Sequence, residues 1–241
     1  MNKYERRKII SNESLGQGVY LMEVEGAYEG KPGQFYMLKD WETDPILSRP
    51  LGVVDLEKNS IKFLYMVVGR GTEMFSKKKA GEEIELIGPL GNGFDLGDHK
   101  KVAIVAGAAG LAPMLLLAKS LDCQVDLYAG FRDYDFFIDV FKDHVDNIYI
   151  SSDNGKVGFH GNIVQLIKEK NQTYDMVYAC GPMPMLKALA NSMDKDKLQV
   201  SLEARMACGF GVCLGCGIKT LEGTKRVCHD GPVFLASEVV F

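Results

Sequence analysis

Four of the chain's six cysteines fall between Cys208 and Cys228, in the run Cys208-Gly-Phe-Gly-Val-Cys213-Leu-Gly-Cys216 followed by Cys228. The spacing C-x4-C-x2-C-x11-C is the plant-type pattern for a [2Fe–2S] cluster. Two irons bridged by two sulfides need four thiolates converging from two sides. A tight loop supplies three of them and a returning strand the fourth. Gly209, Gly211, Gly215 and Gly217 let the backbone wrap closely and aim N–H groups at sulfur. A four-cysteine zinc site is the alternative, although such sites more often present two C-x2-C pairs, and only Cys213 and Cys216 are so spaced. Unliganded thiols are the third reading. Cys123, at the start of a predicted strand, reads as a buried core thiol.

The rest of the composition narrows the class. No apolar segment follows the charged start Met1-Asn2-Lys3-Tyr4-Glu5-Arg6-Arg7-Lys8, so no export signal is read and a cytoplasmic place is expected. In that setting crowded cysteines point to metal or redox chemistry rather than disulfides. Val102 to Ala118 is uncharged, but Gly107, Gly110 and Pro113 interrupt it and it falls short of the ~20 apolar residues of a membrane span. Lys plus Arg is 28 against 32 Asp plus Glu, which gives a nucleic acid no concentrated basic face. At 241 residues and 46% hydrophobic, the chain is long and apolar enough for one or two packed domains. His99, His144, His160 and His229 show no metal spacing and read as surface or structural.

Up to residue 98 the pattern is one of short strands: Val19 to Val24, Gln34 to Leu38, Leu51 to Leu56, Ile61 to Val68 and Glu83 to Ile87. Their close spacing, without a helical period, predicts an antiparallel barrel or sandwich. Residues 99–200 alternate. Val102 to Ala106, Gln124 to Ala129, Asn147 to Ser151 and Met176 to Cys180 read as strands. Leu111 to Leu121, Phe136 to His144, Ile163 to Lys170 and Pro184 to Met193 read as helices. That alternation implies a parallel sheet and an α/β domain. Residues 201–241 are glycine- and cysteine-rich and form the third part.

Two loops in the α/β part suit a nucleotide. Gly107-Ala-Ala-Gly110-Leu-Ala-Pro113 joins a strand to a helix whose free N–H groups favour a pyrophosphate. It is not G-x-G-x-x-G, and a turn needed only for close strand–helix packing explains it equally. Cys180-Gly181-Pro182 closes a strand where ligands of open α/β sheets bind, and Cys180 would lie at that end. A chance buried cysteine is the other reading.

The order of Pro32-Gly33-Gln34-Phe35, Arg49-Pro50-Leu51-Gly52, Gly69-Arg70-Gly71-Thr72, Gly88-Pro89-Leu90-Gly91-Asn92-Gly93-Phe94, the glycine loop and Cys180-Gly181-Pro182 resembles the ferredoxin–NADP reductase superfamily. The tail Glu203-Ala-Arg-Met206-Ala-Cys208-Gly through Cys228-His-Asp230-Gly231-Pro232-Val-Phe234 is similar to the electron-transfer subunits of the NAD-dependent (class B) dihydroorotate dehydrogenases. The resemblance implies an FAD-binding β-barrel (1–98), an NAD-binding domain (99–200) and a [2Fe–2S] subdomain (201–241). It implies FAD contacts from Arg49, Pro50, Leu51 and Gly52, from Leu64, Tyr65 and Met66, and from Gly71 and Thr72. NAD contacts would come from Gly107, Gly110, Pro113, Cys180, Gly181 and Pro182, and cluster ligands from Cys208, Cys213, Cys216 and Cys228. The family usually has Ser where this chain has Gly52, so a hydroxyl contact to the flavin is lost or replaced by backbone. From its chemistry alone, Arg49 reads as a forked phosphate ligand or a surface salt bridge, and Tyr65 as a flavin contact or a barrel-core aromatic.

The implied partner is an FMN-containing catalytic subunit that oxidises dihydroorotate, in a heterotetramer of two of each. Electrons would pass from that FMN through the cluster and FAD to NAD, in pyrimidine (UMP) biosynthesis. Arg132 and Lys156 leave NADP open. The rival reading is the small subunit of another flavin/iron–sulfur NAD(P)H oxidoreductase, such as a sulfide dehydrogenase or a ferredoxin:NADP reductase complex. In such relatives the first cluster ligand can be an aspartate, and here it is Cys208.

Overall fold

Six antiparallel strands close into a barrel in the computed structural model, which describes residues 3–133 and 135–241. They are β1 (Lys3–Gly16), β2 (Val19–Glu25), β3 (Phe35–Lys39), β4 (Arg49–Glu57), β5 (Ser60–Met66) and β6 (Glu83–Leu90), in the order β1-β2-β5-β4-β3-β6. The sequence reading lacked β1. Its described polar side chains are exposed or half-buried, and Ile9 is the residue it buries in the barrel core. With so few inward apolar groups, period-2 alternation is faint. Closure by β1 pairing with β6 removes the exposed edges. The barrel interior holds Met22, Tyr36, Trp41, Phe63, Tyr65 and Phe75. Phe75 comes from α1 (Arg70–Ser76), a short helix that begins within the Gly69-Arg70-Gly71-Thr72 motif.

The second layer is a seven-stranded sheet built from β7 (Lys101–Gly107), β8 (Gln124–Phe131), β9 (Asn147–Ser152), β10 (Phe159–His160), β11 (Met176–Cys180) and β12 (Leu198–Ser201), completed by β15 (Val233–Leu235). The order is β10-β9-β8-β7-β11-β12-β15, parallel except for β15. Helices α2 (Ala112–Ser120), α3 (Ile163–Lys170) and α4 (Met183–Ala190) cover its faces, and no helix among the described residues is long and apolar enough to cross a membrane. The predicted helix at Phe136–His144 is not formed: only a 3-10 turn, Asp139–Phe141, appears. Phe137 takes a φ of 60°, which breaks a helix, and Phe137 and Phe141 meet edge to face with centroids 6.2 Å apart. Cys123 is half-buried, not a core thiol.

Chain order reverses between β7 and β11, so their carboxyl ends open a crevice of the kind where α/β sheets bind ligands. Helix α2 lies between sheet and barrel, where Val54 and Leu64 meet Leu111, Met114 and Leu115 in one apolar cluster. Lys119 of α2 ties to buried Asp55 of β4 at 2.6 Å. The tail is stitched to both layers. β13 (Gly217–Thr220) and β14 (Gly223–Arg226) make a hairpin, and β15 pairs with β12. Asn92 donates its N–H to the Gly231 carbonyl at 2.6 Å and its side-chain amide to the carbonyls of His229 and Asp230. The Gly88–Phe94 motif is thus the bracket that fixes the cysteine loop on the barrel.

Candidate functional site

The four tail cysteines come together as two touching pairs, Cys208 with Cys213 and Cys216 with Cys228. Backbone N–H groups of Phe210, Gly211, Gly215 and Cys228 donate to the sulfurs of Cys208, Cys228, Cys213 and Cys216 at 3.0–3.5 Å. Gly209 and Gly211 both have φ of +79°, and a Cβ on them would strike Met37 and His229 at 2.8 Å. These positions require glycine for two independent reasons. Burial pushes the Cys208 thiol up, but the N–H groups of Cys213, Phe210 and Val212 and the Cys213 side chain outweigh it and bring it down to about 6. Burial, together with sharing a hydrogen bond with Cys216, pushes Cys228 up to about 12. Cys208 is therefore the readier thiolate of the four, and a metal binding all of them would have to displace the proton of Cys228. Among the described residues no three His, Cys, Asp or Glu side chains converge as a single-ion site. Two thiol pairs instead suit a two-iron centre, two thiolates to each iron.

The predicted FAD residues gather where barrel, α1 and α2 meet. Arg49 has no carboxylate partner among the described residues, which rules out the surface salt bridge. Its guanidinium lies over the Trp41 ring, 5.1 Å from the centroid, and donates to the Leu47 carbonyl. A Cβ on Gly71 would fall 2.5 Å from Arg49 Nε, so glycine there makes room for the guanidinium. Thr72 is buried, and its hydroxyl donates to the Gly69 carbonyl and accepts from the N–H groups of Val68 and Gly69. It shapes the turn. Leu64 and Met66 face the α2 side. Tyr65 is 2% exposed, stacks on Tyr20, and its hydroxyl donates to Asn12 at 2.9 Å, so its side chain belongs to the barrel core. A Cβ on Gly52 would meet Pro113 at 3.6 Å, an ordinary contact.

At the carboxyl ends of the sheet strands a cleft of about 170 Å³ is lined by Gly107, Ala108, Arg132, Ser151, Asp153 and Pro182, among others. Gly107 and Pro182 are the predicted NAD residues in it. Gly110, Pro113, Cys180 and Gly181 are buried and do not line it. Gly110 packs so closely that a Cβ would stand 2.3 Å from the Cys180 carbonyl oxygen. Close loop–loop packing therefore accounts for that glycine. Burial pushes the Cys180 thiol up to about 12, against a hydrogen bond with Ser201. Ser151 Oγ is buried with no partner among the described residues, an unsatisfied polar atom in the cleft wall. Arg132 borders the cleft and Lys156 does not. Sequence reasoning missed Trp41, Ser151, Asp153 and Asn162. Of these only Asn162 left a local signal, a capping box with Gln165 at the start of α3.

Residues 203–240 match the family model described as the iron–sulfur cluster binding domain of dihydroorotate dehydrogenase B. This favours iron over zinc for the four thiols. Over its whole length the chain is 42% identical to the electron transfer subunit of dihydroorotate dehydrogenase B (NAD(+)) from Clostridium acetobutylicum, covering 99% of this chain and 98% of that one. The chain belongs to this family of electron transfer subunits. The Caldanaerobacter subterraneus member is 41% identical, with 98% of each chain covered. Among solved structures, an NADH-dependent reduced ferredoxin-NADP oxidoreductase superposes with a TM-score of 0.87 at 26% identity, covering 97% of this chain and 89% of that one. A ferredoxin NADP+ reductase from Neisseria gonorrhoeae shares the fold, with a TM-score of 0.66 at 18% identity over 82% of this chain and 98% of that one. The rival subunit reading is the weaker match. The family is one of oxidoreductase subunits that work with a catalytic partner.

Proposed function

We propose that this chain carries electrons between an FMN-containing dihydroorotate-oxidising subunit and NAD+, through a [2Fe–2S] cluster held by Cys208, Cys213, Cys216 and Cys228 and an FAD held between barrel and α2. NAD+ would occupy the cleft at the sheet's carboxyl edge, and the assembly would be a cytoplasmic heterotetramer of two subunits of each kind. A cytoplasmic place agrees with four crowded cysteines read as cluster ligands, since reducing compartments favour metal or redox roles over disulfides. When bound, flavin supplies the exchange between single electrons and a hydride.

The observation that carries the reading is the adjacency of the three sites. Gly209 of the cysteine loop rests on Met37 of β3, and Met37 pairs with Pro50 in the next strand, within the Arg49–Gly52 motif. One strand spacing of about 4.8 Å separates those backbones. On the other side of the motif, Gly52 meets Pro113, and Pro113 begins the helix that follows the Gly107–Gly110 loop.

In this reading the chain's residues bind and orient. Among the described residues Arg49 has no carboxylate to neutralise it, and it offers a fork to the cofactor's phosphate. The tail N–H groups stabilise negative charge on the sulfurs. Cys180, buried behind the cleft, stays a neutral thiol and brings no charge to the nicotinamide side. Ser151 Oγ is free to bond a polar group in the cleft.

Co-expression with a candidate catalytic subunit tests this. The expected product is a brown-yellow complex containing FMN, FAD and iron that reduces NAD+ with dihydroorotate. Cys213→Ser should abolish that reaction while sparing NADH oxidation by an artificial flavin acceptor. Equal loss of both activities would mean the cluster is structural, and a colourless preparation would end the electron-transfer reading.

A further inference from the structure

The chain's single tryptophan sits under the one cation that the FAD reading depends on. Trp41 is 7% exposed and stacks on Phe75 of α1, ring centroids 5.5 Å apart and planes 25° from parallel. Its other neighbour is the Arg49 guanidinium. Gly71, one turn before Phe75 on α1, closes on the same guanidinium, with room for no Cβ. The cation is held among Trp41, Gly71 and the Leu47 carbonyl, none of which bears a negative charge.

Packing alone does not explain a tryptophan at this place. Trp41 Nε1 is buried and has no hydrogen-bond partner among the described residues. A buried donor left unbonded costs free energy, and phenylalanine would fill a stacked core position without that cost. What tryptophan offers over phenylalanine is the stronger face for a cation.

We infer that Trp41 is a positioning residue for Arg49: its ring face holds the guanidinium in the orientation that grips the cofactor's phosphate. This rests on the reading of Arg49 as a phosphate ligand. Trp41 acts through Arg49, not on the cofactor itself. The ring limits the rotamers open to a long side chain, so less freedom is lost when the phosphate binds.

The test is a double-substitution cycle on the full chain, read by FAD release from the purified holoprotein as recovery of flavin fluorescence on dilution. Melting temperature is followed in parallel. Trp41→Leu should weaken FAD retention by about 2- to 30-fold, the range spanned by a cation–π contact. Trp41→Phe, which keeps an aromatic face, should recover most of that loss. In an Arg49→Ala background, Trp41→Leu should cause no further release. A structural role predicts otherwise: the Trp41→Leu loss would persist without Arg49, and that result overturns the inference. So does full retention in Trp41→Leu when Arg49→Ala releases FAD. If Arg49→Ala itself retains FAD, the phosphate-ligand reading falls, an outcome distinguishable from failure of the Trp41 inference alone. Should Trp41→Leu not fold, Trp41→Met, which fills the site without an aromatic face, completes the same cycle.

Discussion

Gly71→Ala separates a binding role from a folding role at the FAD site. The new methyl would lie 2.5, 2.7 and 2.8 Å from Nε, Cζ and Nη2 of Arg49. Carbon contacts are comfortable at about 3.5–4.0 Å, so the guanidinium must withdraw by about 1 Å. It can do so, because it is the end of a flexible side chain. Stability should therefore change little. Alanine inside helix α1 gains up to about 1 kcal/mol over glycine, and the disturbed stack on Trp41 loses about 0.5–1 kcal/mol. Binding should change much more. A hydrogen bond to a charged group is worth about 1.5–3 kcal/mol, so FAD should bind about 10- to 150-fold more weakly. Flavin fluorescence on titration into the FAD-free chain measures the affinity, and thermal unfolding of that chain measures stability. Unchanged affinity would show that the guanidinium's position does not matter to FAD. A large fall in melting temperature would show that Arg49 is locked by packing and could not retreat.

Two further outcomes are expected. Gly110→Ala meets the Cys180 carbonyl at 2.3 Å, a backbone atom that cannot swing away, so it should cost about 2 kcal/mol or more of stability in a urea melt, whereas Gly52→Ala should be tolerated; a neutral Gly110→Ala would refute the close loop contact. Stability should also decline in alkali. Burial raises the ionisation of the Cys180 thiol to about 12 and that of the Tyr36 and Tyr178 phenols upward, each above its unfolded value. The thiol's contribution is complete below about pH 7.5 and the phenols' below about pH 9, where the unfolded groups are still protonated, and both are lost as pH rises towards 12. A urea midpoint independent of pH from 8 to 11 would contradict that burial.

What could be read from the residues alone was local. The cysteine spacing announced the tail because three of its four cysteines lie within one loop, and loop spacing is written directly in the chain. The continuous apolar run Val102–Ala106 announced a strand covered on both faces, and the alternation after it announced the parallel sheet. What escaped depended on partners distant in sequence. β1 is a strand because β6 and β2 complete its hydrogen bonds, not because its own side chains alternate. Phe137 and Phe141 fill space beside the sheet instead of continuing a helix.

The candidate sites divide in the same way. Arg49, Gly71 and Gly110 stood out as motif members, but their reasons are tertiary: a guanidinium over Trp41, a missing Cβ beside it, and a carbonyl 70 residues away in sequence. Trp41 and Ser151 gave no sequence signal, since an orphaned N–H or hydroxyl exists only once packing has excluded water from it. Backbone preference and ligand spacing are properties of neighbouring residues, so the amino-acid order determined them. Which side chain touches which cofactor-facing group is settled by dense packing among remote segments, and only the folded chain decides it.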